Sequence, residues 1–314
     1  MQKKIAIIGA GICGISTAYL LSMQGYDITV IAAKFSPDIT SNRAAAFWFP
    51  YHVRNDQRGN NWCRTSYDFY LQHCSKATGI SIIQLIKAVK PHSGDEDSWL
   101  SFMPEGTCRT LPVSEIPKGY ALAYEASVPL IETQIFLPWL YEQLTAAGAV
   151  FIREEVNNLD VLTNTYDLVI NSSGLGARSL CNDETTIPVR GQVVLLEPGF
   201  PSHIFLDNQT PAYIVPRKDA TIVGGTYEEN IYTEKTEQEN LDDILARATS
   251  VFTGLENRKI IGSWAGLRPY RPAVRLEREP GKNIIHNYGH GGSGYTLAFG
   301  CAAEVSTLAN EVLQ

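Results

Sequence analysis

The chain has 314 residues, 44% of them hydrophobic, which is enough to bury the cores of two domains or of one large domain. Its net charge of −7 and the lack of a basic cluster in the sequence argue against a nucleic-acid-binding protein. No apolar run is long enough to cross a bilayer, which takes about 20 residues, so we expect a soluble protein with no membrane partner. Six scattered cysteines without a Cys-x-x-Cys pair favour reduced thiols in an intracellular compartment over disulfides or a zinc site. Small-molecule chemistry is the class of function that remains.

The chain begins with the pattern of a buried parallel strand, residues 4–8, followed by a glycine-rich turn and a helix-length apolar segment that starts at Ile12. In such a turn Gly9 allows the sharp bend, Gly11 lets the backbone approach a pyrophosphate, and Gly14 lets helix and strand pack closely. The N-terminus of the helix offers N–H groups and a positive dipole end to the phosphates. The spacing predicts a dinucleotide-binding turn.

The same basic and then apolar start also resembles a secretory signal peptide. Three glycines at motif spacing and the polar Ser16 and Thr17 argue against that alternative, as does the strand pattern that follows at residues 26–32.

A Rossmann turn is usually followed, about 20 residues on, by an acidic residue that binds a ribose. Here the second strand ends at Ala33 and Lys34 instead. Because a lysine can face a 2′-phosphate, NADP stays an alternative, although an ordinary solvated lysine explains Lys34 equally well.

Residues 40–51 form an unusual stretch in which small polar residues and three alanines precede Phe-Trp-Phe-Pro-Tyr. Small side chains let the backbone lie against a bulky planar ligand, and Trp48 and Tyr51 are candidates for a cavity wall. Ordinary core packing of these aromatic residues is the alternative interpretation.

The middle of the chain predicts helices at residues 62–77, closed by Gly79, and at 130–147, where Pro138 should kink the helix or mark its first turn. A polar loop is expected at 93–99, and strands at 150–156 and 166–171. The last of these strands runs into Ser-Ser-Gly at 172–174, which suits close approach of the backbone to a cofactor.

The later part predicts a hairpin with strands at 212–217 and 220–227, and then a helix that begins with a capping box formed by Thr236 and Glu239. Prolines hold Arg268 and Arg271 on extended backbone.

A strand at 283–286 then leads into a second glycine-rich turn, residues 287–296, and a terminal helix to residue 313. His286 and His290 are four residues apart, but they straddle this turn and have no evident third ligand, so no metal site is expected.

Six segments together resemble the D-amino-acid oxidase family of FAD enzymes. They are GAGICG, AAAFWFPY, AYIVP, GGTY, GLRPYRPAVRLERE and HNYGHGGSGYTLAFG. The resemblance runs from residue 4 to about residue 305, and residues 80–130 contribute little to it. It implies an α/β fold in which a Rossmann-like FAD-binding domain is interleaved with an α+β substrate domain built on an antiparallel sheet. The expected FAD-binding domain comprises residues 1–50, 140–185 and 275–314, and the substrate domain comprises residues 51–139 and 186–274.

The resemblance implies that FAD binds non-covalently to residues from five segments: Gly9, Gly11, Ile12, Cys13 and Gly14; Thr40, Ser41, Ala45, Ala46, Phe47 and Trp48; Val156; Ser172, Ser173 and Gly174; and Gly291, Gly292, Ser293, Gly294, Tyr295 and Thr296. The last segment resembles the family's contact with the flavin pyrimidine edge, where a positive helix dipole stabilises the reduced flavin.

For the substrate, Arg268 matches the family arginine that holds the α-carboxylate, since a guanidinium fork pairs both oxygens. Tyr213 resembles a tyrosine that also binds the carboxylate, and Tyr227 resembles a second one found in yeast-type members. Gln209 stands where mammalian-type members carry a mobile tyrosine. Aspartate-specific members have an arginine at the position of Tyr227, so the expected substrates are neutral. Three further arginines, Arg271, Arg275 and Arg278, are expected to form structural ion pairs with Glu277 or Glu279.

The implied reaction is hydride transfer from Cα of a D-amino acid to flavin N5, followed by hydrolysis to a 2-oxo acid and ammonia and by reoxidation with O₂ to hydrogen peroxide. No side chain is expected to act as an acid or base. Alternatives are a glycine or sarcosine-type amine oxidase, a flavin dehydrogenase, and a catalytically silent FAD protein, which would be expected to lose Arg268 or the tyrosines. A homodimer is left open. The C-terminal Val312-Leu313-Gln314 differs from a peroxisomal tripeptide, so we expect a cytoplasmic enzyme.

Overall fold

The computed structural model describes residues 2–91, 97–207, 209–210 and 212–313. Within them seven α-helices occur: α1 (Ile12–Met23), α2 (Gln57–Gln72), α3 (Thr133–Ala146), α4 (Leu159–Leu162), α5 (Ala177–Leu180), α6 (Gln238–Val251) and α7 (Gly294–Leu313). The strands are β1 (Lys4–Ile8), β2 (Asp27–Ala32), β3 (Ile80–Val89), β4 (Cys108–Thr110), β5 (Leu122–Ile131), β6 (Val150–Arg153), β7 (Leu168–Asn171), β8 (Ile187–Leu196), β9 (Ile204–Asp207), β10 (Ala212–Pro216), β11 (Thr221–Gly224), β12 (Glu228–Glu229), β13 (Ile260–Arg278) and β14 (Ile284–His290).

These strands form one continuous mixed sheet in the order β4-β5-β3-β9-β10-β11-β8-β13-β14-β7-β1-β2-β6, with β12 added to β8. One half is parallel: β14, β7, β1, β2 and β6 run in the same direction. The central part of the other half, from β9 to β13, is antiparallel. The long strand β13 joins the two halves because it pairs with β8 on one side and with β14 on the other. The predicted α/β fold class is confirmed, whereas the domain boundaries stay a prediction.

The parallel half owes its stability to apolar strands covered on both faces, as expected for strands with near-continuous apolar runs. Ile5 and Ile7 of β1 belong to the main core with Ile15 of α1. On the opposite face Ala6 and Ile8 pack in a smaller cluster with Leu159 of α4. The residues that resemble a signal peptide therefore form β1 and α1 of the buried core.

Helix α7 lies on the parallel half, and α2 packs against α7 through aromatic side chains. Phe299 of α7 stacks on Phe69 of α2 with ring centroids 3.5 Å apart, and Tyr70 of α2 donates a hydrogen bond to the carbonyl of Tyr295 at 2.8 Å. The antiparallel half is covered by α6, which buries Leu241, Ile244 and Ala248 against the sheet.

Several predicted boundaries were wrong for local reasons. Helix α2 begins at Gln57, because the side chain of Asp56 caps it by accepting from the Gly59 N–H at 2.8 Å. It ends at Gln72, and Gly79 instead lies in the turn that leads to β3. Helix α3 begins at Thr133, because residues 130 and 131 belong to β5, and Pro138 lies beyond its first turn.

The predicted capping box does not form. Helix α6 begins after Glu237, whose side chain makes no capping hydrogen bond to the helix. The second glycine-rich turn is also shorter than expected, because β14 continues to His290 and α7 starts at Gly294. The predicted loop at 93–99 lies mostly outside the described residues, and residues 97–102 form a 3₁₀ helix. None of the helices in the described part of the chain has the length and apolarity that a membrane span requires.

Candidate active site

A cavity of about 1190 Å³ lies where the two halves of the sheet meet. Its walls come from the turn after β1, the segment at 40–52, the residues after β7, and the facing parts of β8, β10, β13 and β14. Cavities for drug-sized ligands measure roughly 300–1,000 Å³, so this one has room for a large cofactor together with a small substrate.

At one end of the cavity lies the first glycine turn, in which two of the three motif glycines are packed too tightly for a side chain. Gly9 has φ +105°, and a Cβ atom there would lie 2.3 Å from the Ser172 carbonyl oxygen. A Cβ atom on Gly14 would lie 2.0 Å from the carbonyl oxygen of Gly9. A Cβ atom on Gly11, in contrast, would meet only the Ser41 hydroxyl at 3.4 Å. Gly9 and Gly14 thus serve the fold, while Gly11 leaves backbone open to the cavity.

Three residues of the cavity wall carry buried polar side-chain atoms that have no partner among the described residues. They are Ser172 Oγ, Asn287 Oδ1 and His290 Nε2, each buried and each belonging to a residue of the cavity wall. Buried polar groups are nearly always hydrogen-bonded in folded proteins. These three atoms therefore fit a polar ligand such as a dinucleotide that fills the cavity.

Eighteen of the twenty-one residues predicted to bind the cofactor lie in the cavity wall: Gly9, Gly11, Ile12, Cys13, Thr40, Ser41, Ala45, Ala46, Phe47, Val156, Ser172, Ser173, Gly174, Gly291, Gly292, Gly294, Tyr295 and Thr296. Three of them are linked by hydrogen bonds, because Ser41 Oγ accepts the Ile12 N–H at 2.9 Å and the Tyr295 hydroxyl donates to the Ser41 carbonyl at 2.9 Å.

Gly14, Trp48 and Ser293 do not line the cavity. Trp48 is fully buried, and its indole N–H donates to the Cys63 carbonyl at 3.0 Å. Successive side chains of an extended segment point to opposite sides, so Phe47 and Phe49 face the cavity while Trp48 packs in the core. Ser293 uses its hydroxyl to bind the carbonyl of Tyr51.

The second glycine turn brings the N-terminus of α7 to the cavity. Gly291, with φ +54°, and Gly292 both line it. A Cβ atom on Gly292 would lie 3.0 Å from the ring of Tyr51, so the backbone and this aromatic side chain pack tightly together. The positive end of the twenty-residue α7 helix is thereby available to an electron-rich part of a ligand.

At the other end, two long polar side chains each lie across a glycine of the neighbouring strand. The guanidinium of Arg268, on β13, covers Gly191 of β8, where a Cβ atom would lie 2.2 Å from Nη2. The phenol of Tyr213, on β10, covers Gly224 of β11, where a Cβ atom would lie 2.3 Å from the hydroxyl oxygen. Each side chain can take this position only because the residue that it covers is a glycine.

Arg268 differs from the arginines around it in its ion pairing. Arg271 pairs with Asp183 at 2.9 Å and Arg275 with Glu277 at 2.8 Å. No carboxylate of the described residues lies within ion-pair distance of Arg268, whose Nη1 donates to the Thr226 carbonyl at 3.1 Å. The structural role expected for Arg275 is confirmed. The partner of Arg271 is Asp183 rather than a glutamate, and Arg278 binds the Lys282 carbonyl and Asn283.

Three tyrosines surround Arg268 at this end. Burial raises the pKa of Tyr213 and of Tyr51, and the nearby Arg268 cation partly offsets this increase in both residues. Both phenols therefore keep their protons at neutral pH and can donate hydrogen bonds. Tyr227, which is 39% exposed, lies at the cavity wall with its ring 5.6 Å from that of His52. Burial, reinforced by Arg268, lowers the pKa of His52.

The sequence prediction missed several polar residues of this cavity. Tyr51 was expected only as a wall, and His52, Asn287 and the unpaired nitrogen of His290 were not expected to face a ligand. Tyr51 and His52 carry only the signal of following an aromatic stretch, whereas Asn287 and His290 lie in the second glycine-rich turn, which did not indicate which of its side chains face the cavity. His286 instead hydrogen-bonds Glu279 at 3.1 Å, and the described residues hold no group of three metal-binding side chains.

Comparison with known proteins shows to which family the chain belongs. The model of the DAO family, described as FAD dependent oxidoreductase, matches residues 4–308. The chain belongs to this family. It is 33% identical to a D-amino-acid oxidase of Rubrobacter xylanophilus, with 99% of this chain and 97% of the relative covered. It is 34% identical to a D-amino acid oxidase of Dugesia ryukyuensis over 98% of both chains, and 29% identical to human D-aspartate oxidase over 98% of this chain and 95% of the relative.

Solved structures show the same fold at lower identity. Glycine oxidase of Bacillus cereus superposes with a TM-score of 0.83 at 18% identity, over 99% of this chain and 95% of the other. The family membership identifies the protein as an FAD-dependent oxidoreductase, so the predicted family and FAD cofactor are confirmed. The NADP alternative rested on Lys34 and is set aside, because the family is FAD-dependent.

Proposed function

We propose that this protein oxidises neutral D-amino acids, with FAD and O₂, to 2-oxo acids, ammonia and hydrogen peroxide. One observation carries the proposal: the cavity holds a guanidinium, that of Arg268, with no carboxylate partner among the described residues and with phenols of Tyr213 and Tyr51 beside it. A planar guanidinium binds both oxygens of a carboxylate. FAD, when bound, accepts a hydride from Cα of the substrate and passes the electrons to O₂.

The chain's own residues contribute binding and orientation. Arg268 and the two phenols hold the α-carboxylate and so fix the direction of the Cα–H bond. The N-terminus of α7 offers positive potential to the cofactor. The substrate becomes an imino acid when Cα loses a hydride and the nitrogen releases a proton to solvent, and water then hydrolyses the imino acid to the 2-oxo acid and ammonia.

The preference for the D-isomer is supported by relatives named D-amino-acid oxidase at 33% and 34% identity over almost the whole chain. The preference for neutral side chains is supported by the surroundings of Arg268. Arg43, another cation of the cavity wall, already pairs with Glu234 at 2.6 Å, and the pKa of His52 is lowered by burial and by Arg268. Free cysteines in the described chain fit a reducing compartment, and we propose the cytoplasm.

The first experiment adds D- and L-amino acids to the purified flavoprotein, following flavin absorbance without air and peroxide with air. Flavin bleaching and peroxide with neutral D-amino acids alone is the expected result. Bleaching without peroxide would indicate a dehydrogenase, bleaching with D-aspartate alone would indicate an acidic specificity, and bleaching only with glycine or sarcosine would contradict the proposal.

The second experiment replaces the arginine. Arg268→Met should keep FAD and fold normally yet lower kcat/KM by about 100-fold or more, because the carboxylate loses its charged partner. Arg278→Met is the matched control, since Arg278 lies on the same strand but is exposed and remote from the cavity. Equal activity of the two variants would contradict the assignment of the site.

A further inference from the structure

The segment that follows β11 connects the substrate arginine to the neighbouring strand β8. The carbonyl oxygen of Thr226 accepts a hydrogen bond from Arg268 Nη1 at 3.1 Å. The hydroxyl of the same threonine accepts the backbone N–H of Gln192 at 2.6 Å. One residue thus links the guanidinium to the backbone of β8.

A buried polar network holds this segment in place. Arg190, which is 2% exposed, binds both carboxylate oxygens of Glu228 at 3.0 and 2.5 Å. Gln192, which is fully buried, donates its side-chain N–H to Glu228 at 2.9 Å and accepts the Glu237 N–H at 2.8 Å. Arg190 also pairs with Glu237 at 3.0 Å. Because the buried Arg190 and Gln192 are both hydrogen-bonded to the partly exposed Glu228, the network holds the chain in place on both sides of Thr226.

The network also surrounds the glycine that carries the guanidinium. Gly191 lies between Arg190 and Gln192, and the guanidinium of Arg268 rests directly on it. Arg268 is therefore limited from below by the backbone of β8 and from one side by the Thr226 carbonyl. The Thr226 carbonyl accepts a hydrogen bond from one of the five N–H groups of the guanidinium. Because the guanidinium is planar and rigid, this bond also fixes the directions in which the other four N–H groups point.

We propose that Thr226 is a positioning residue that sets the orientation of the Arg268 guanidinium toward the substrate carboxylate. The inference rests on the proposed function, in which Arg268 binds that carboxylate. Thr226 acts through Arg268: its hydroxyl anchors the peptide to β8, and its carbonyl orients the cation. Removing the anchor should weaken carboxylate binding much more than it slows hydride transfer from a bound substrate, because the phenols of Tyr213 and Tyr51 still hold the carboxylate and orient the Cα–H bond.

The test compares Thr226→Val with Thr226→Ser. Valine keeps the shape but removes the acceptor for the Gln192 N–H, whereas serine keeps the acceptor. Thr221→Val is the matched control, because Thr221 is a buried threonine at the other end of β11 whose hydroxyl donates to the Phe200 carbonyl at 2.6 Å, away from the cavity. Each variant is purified with its flavin, and FAD content and melting temperature are measured first.

Benzoate serves as the probe, because it carries a carboxylate and has no Cα–H to oxidise. Its Kd is measured from the change in flavin absorbance, alongside KM and kcat for a neutral D-amino acid. Thr226→Val should raise the benzoate Kd and the KM by about tenfold, the effect of one misplaced hydrogen bond, with kcat changed by no more than about twofold. Thr226→Ser should restore both values, and Thr221→Val should leave them as in the wild type.

An unchanged benzoate Kd in Thr226→Val would overturn the proposal, and so would a serine variant as weak as the valine variant or a loss confined to kcat. A wild-type protein that binds benzoate but whose flavin no D-amino acid reduces would refute the proposed function alone, since the benzoate comparison still tests Thr226. A wild-type flavoprotein that fails to bind benzoate would refute the premise and the inference together.

Discussion

At the scale of single residues, the absence of a side chain matters as much as its presence. Gly191 and Gly224 lie on strands inside the sheet, where glycine is unfavourable for a strand. Each is covered by a polar side chain of the next strand, Arg268 and Tyr213 respectively. The two glycines therefore make room for side chains of the proposed substrate site, although neither offers a functional group.

Replacing one of these glycines should displace a binding group rather than unfold the protein. In Gly191→Ala the new Cβ would meet the flexible end of Arg268 at 2.2 Å, so the guanidinium must move while the backbone need not. We expect kcat/KM to fall by about tenfold or more, with a change in the free energy of unfolding of about 1 kcal/mol or less.

Gly262→Ala is the control for this change. Gly262 lies on β13, outside the cavity wall, and its Cβ would make an ordinary contact of 3.5 Å with Leu195. Activity and urea unfolding measured on both variants give the comparison. Full activity in Gly191→Ala would show that catalysis does not require the Arg268 guanidinium to lie over Gly191.

The residues of the site differ in how far the sequence could predict them. Arg268 and Tyr213 lie within motifs, and the structure places both in one cavity. The prediction for Trp48 is wrong, because the motif indicates only that an aromatic segment passes the cofactor. The alternation of side chains along that segment decides which aromatic residue faces the cofactor, and Trp48 faces the core. Tyr51 and His52 were missed because their closeness to Arg268 depends on contacts between segments more than 200 residues apart.

At the scale of elements, the glycines of the turn between β1 and α1 have two different roles. Gly14 allows helix and strand to pack closely, and Gly11 leaves room for a ligand. A Cβ atom on Gly14 would strike backbone, the Gly9 carbonyl oxygen at 2.0 Å, whereas one on Gly11 finds only a side-chain hydroxyl at 3.4 Å. Gly11 has φ −71° and ψ 172°, a conformation that alanine adopts freely. Of these two glycines, only Gly14 is required by the packing of strand against helix.

The two alanine variants of this turn should therefore fail in different ways. Gly14→Ala should lower the melting temperature of the protein with or without FAD. Gly11→Ala should leave the FAD-free protein as stable as the wild type but weaken FAD binding by about tenfold or more, because the methyl group occupies the space of the pyrophosphate. Fluorescence titration with FAD and thermal melts distinguish them. Normal FAD affinity in Gly11→Ala would show that the backbone at Gly11 does not contact the cofactor.

Elements with strong local patterns were predicted well. The first strand, turn and helix, the β10–β11 hairpin and the terminal helix follow from periodicity and glycine spacing, and the structure confirms them. The prediction of helix for the end of β5 is wrong, because its apolar residues do not alternate with polar ones. Its partner strand β3 lies about 40 residues earlier, so no local turn pattern marks the pair. The Asp56 cap of α2 was overlooked because an isolated aspartate is common in loops.

At the scale of the whole molecule, buried neutral histidines link stability to pH. His290 is 6% exposed, and burial lowers its pKa to about 4 from an ordinary value of 6.5. Between these two values the unfolded chain binds a proton at this residue and the folded chain does not. The folded state is therefore favoured fully above pH 6.5 and loses about 3 kcal/mol from this group as the pH falls to 4.

The prediction concerns the FAD-free protein, in which no ligand contacts the His290 ring. Urea unfolding at intervals from pH 7 to pH 4 should show a decline in stability that is shallower in His290→Gln, by about 3 kcal/mol over that range. The glutamine variant keeps a neutral polar side chain and removes only the titration. Parallel declines in the two proteins would mean that other groups, such as His286 and His203, account for the pH dependence.

The position of β14 in the sheet has a consequence for how the protein is made. In the described chain β14 is the strand that connects β13 to β7, and so joins the antiparallel half to the parallel half. β14 is also the last strand along the described chain, so a ribosome makes it after all the other described strands. Until it is made, no described strand pairs the antiparallel half with the parallel half, and the cavity between them lacks the strand that joins its two sides. We therefore expect a chain that terminates before β14 to take up no flavin.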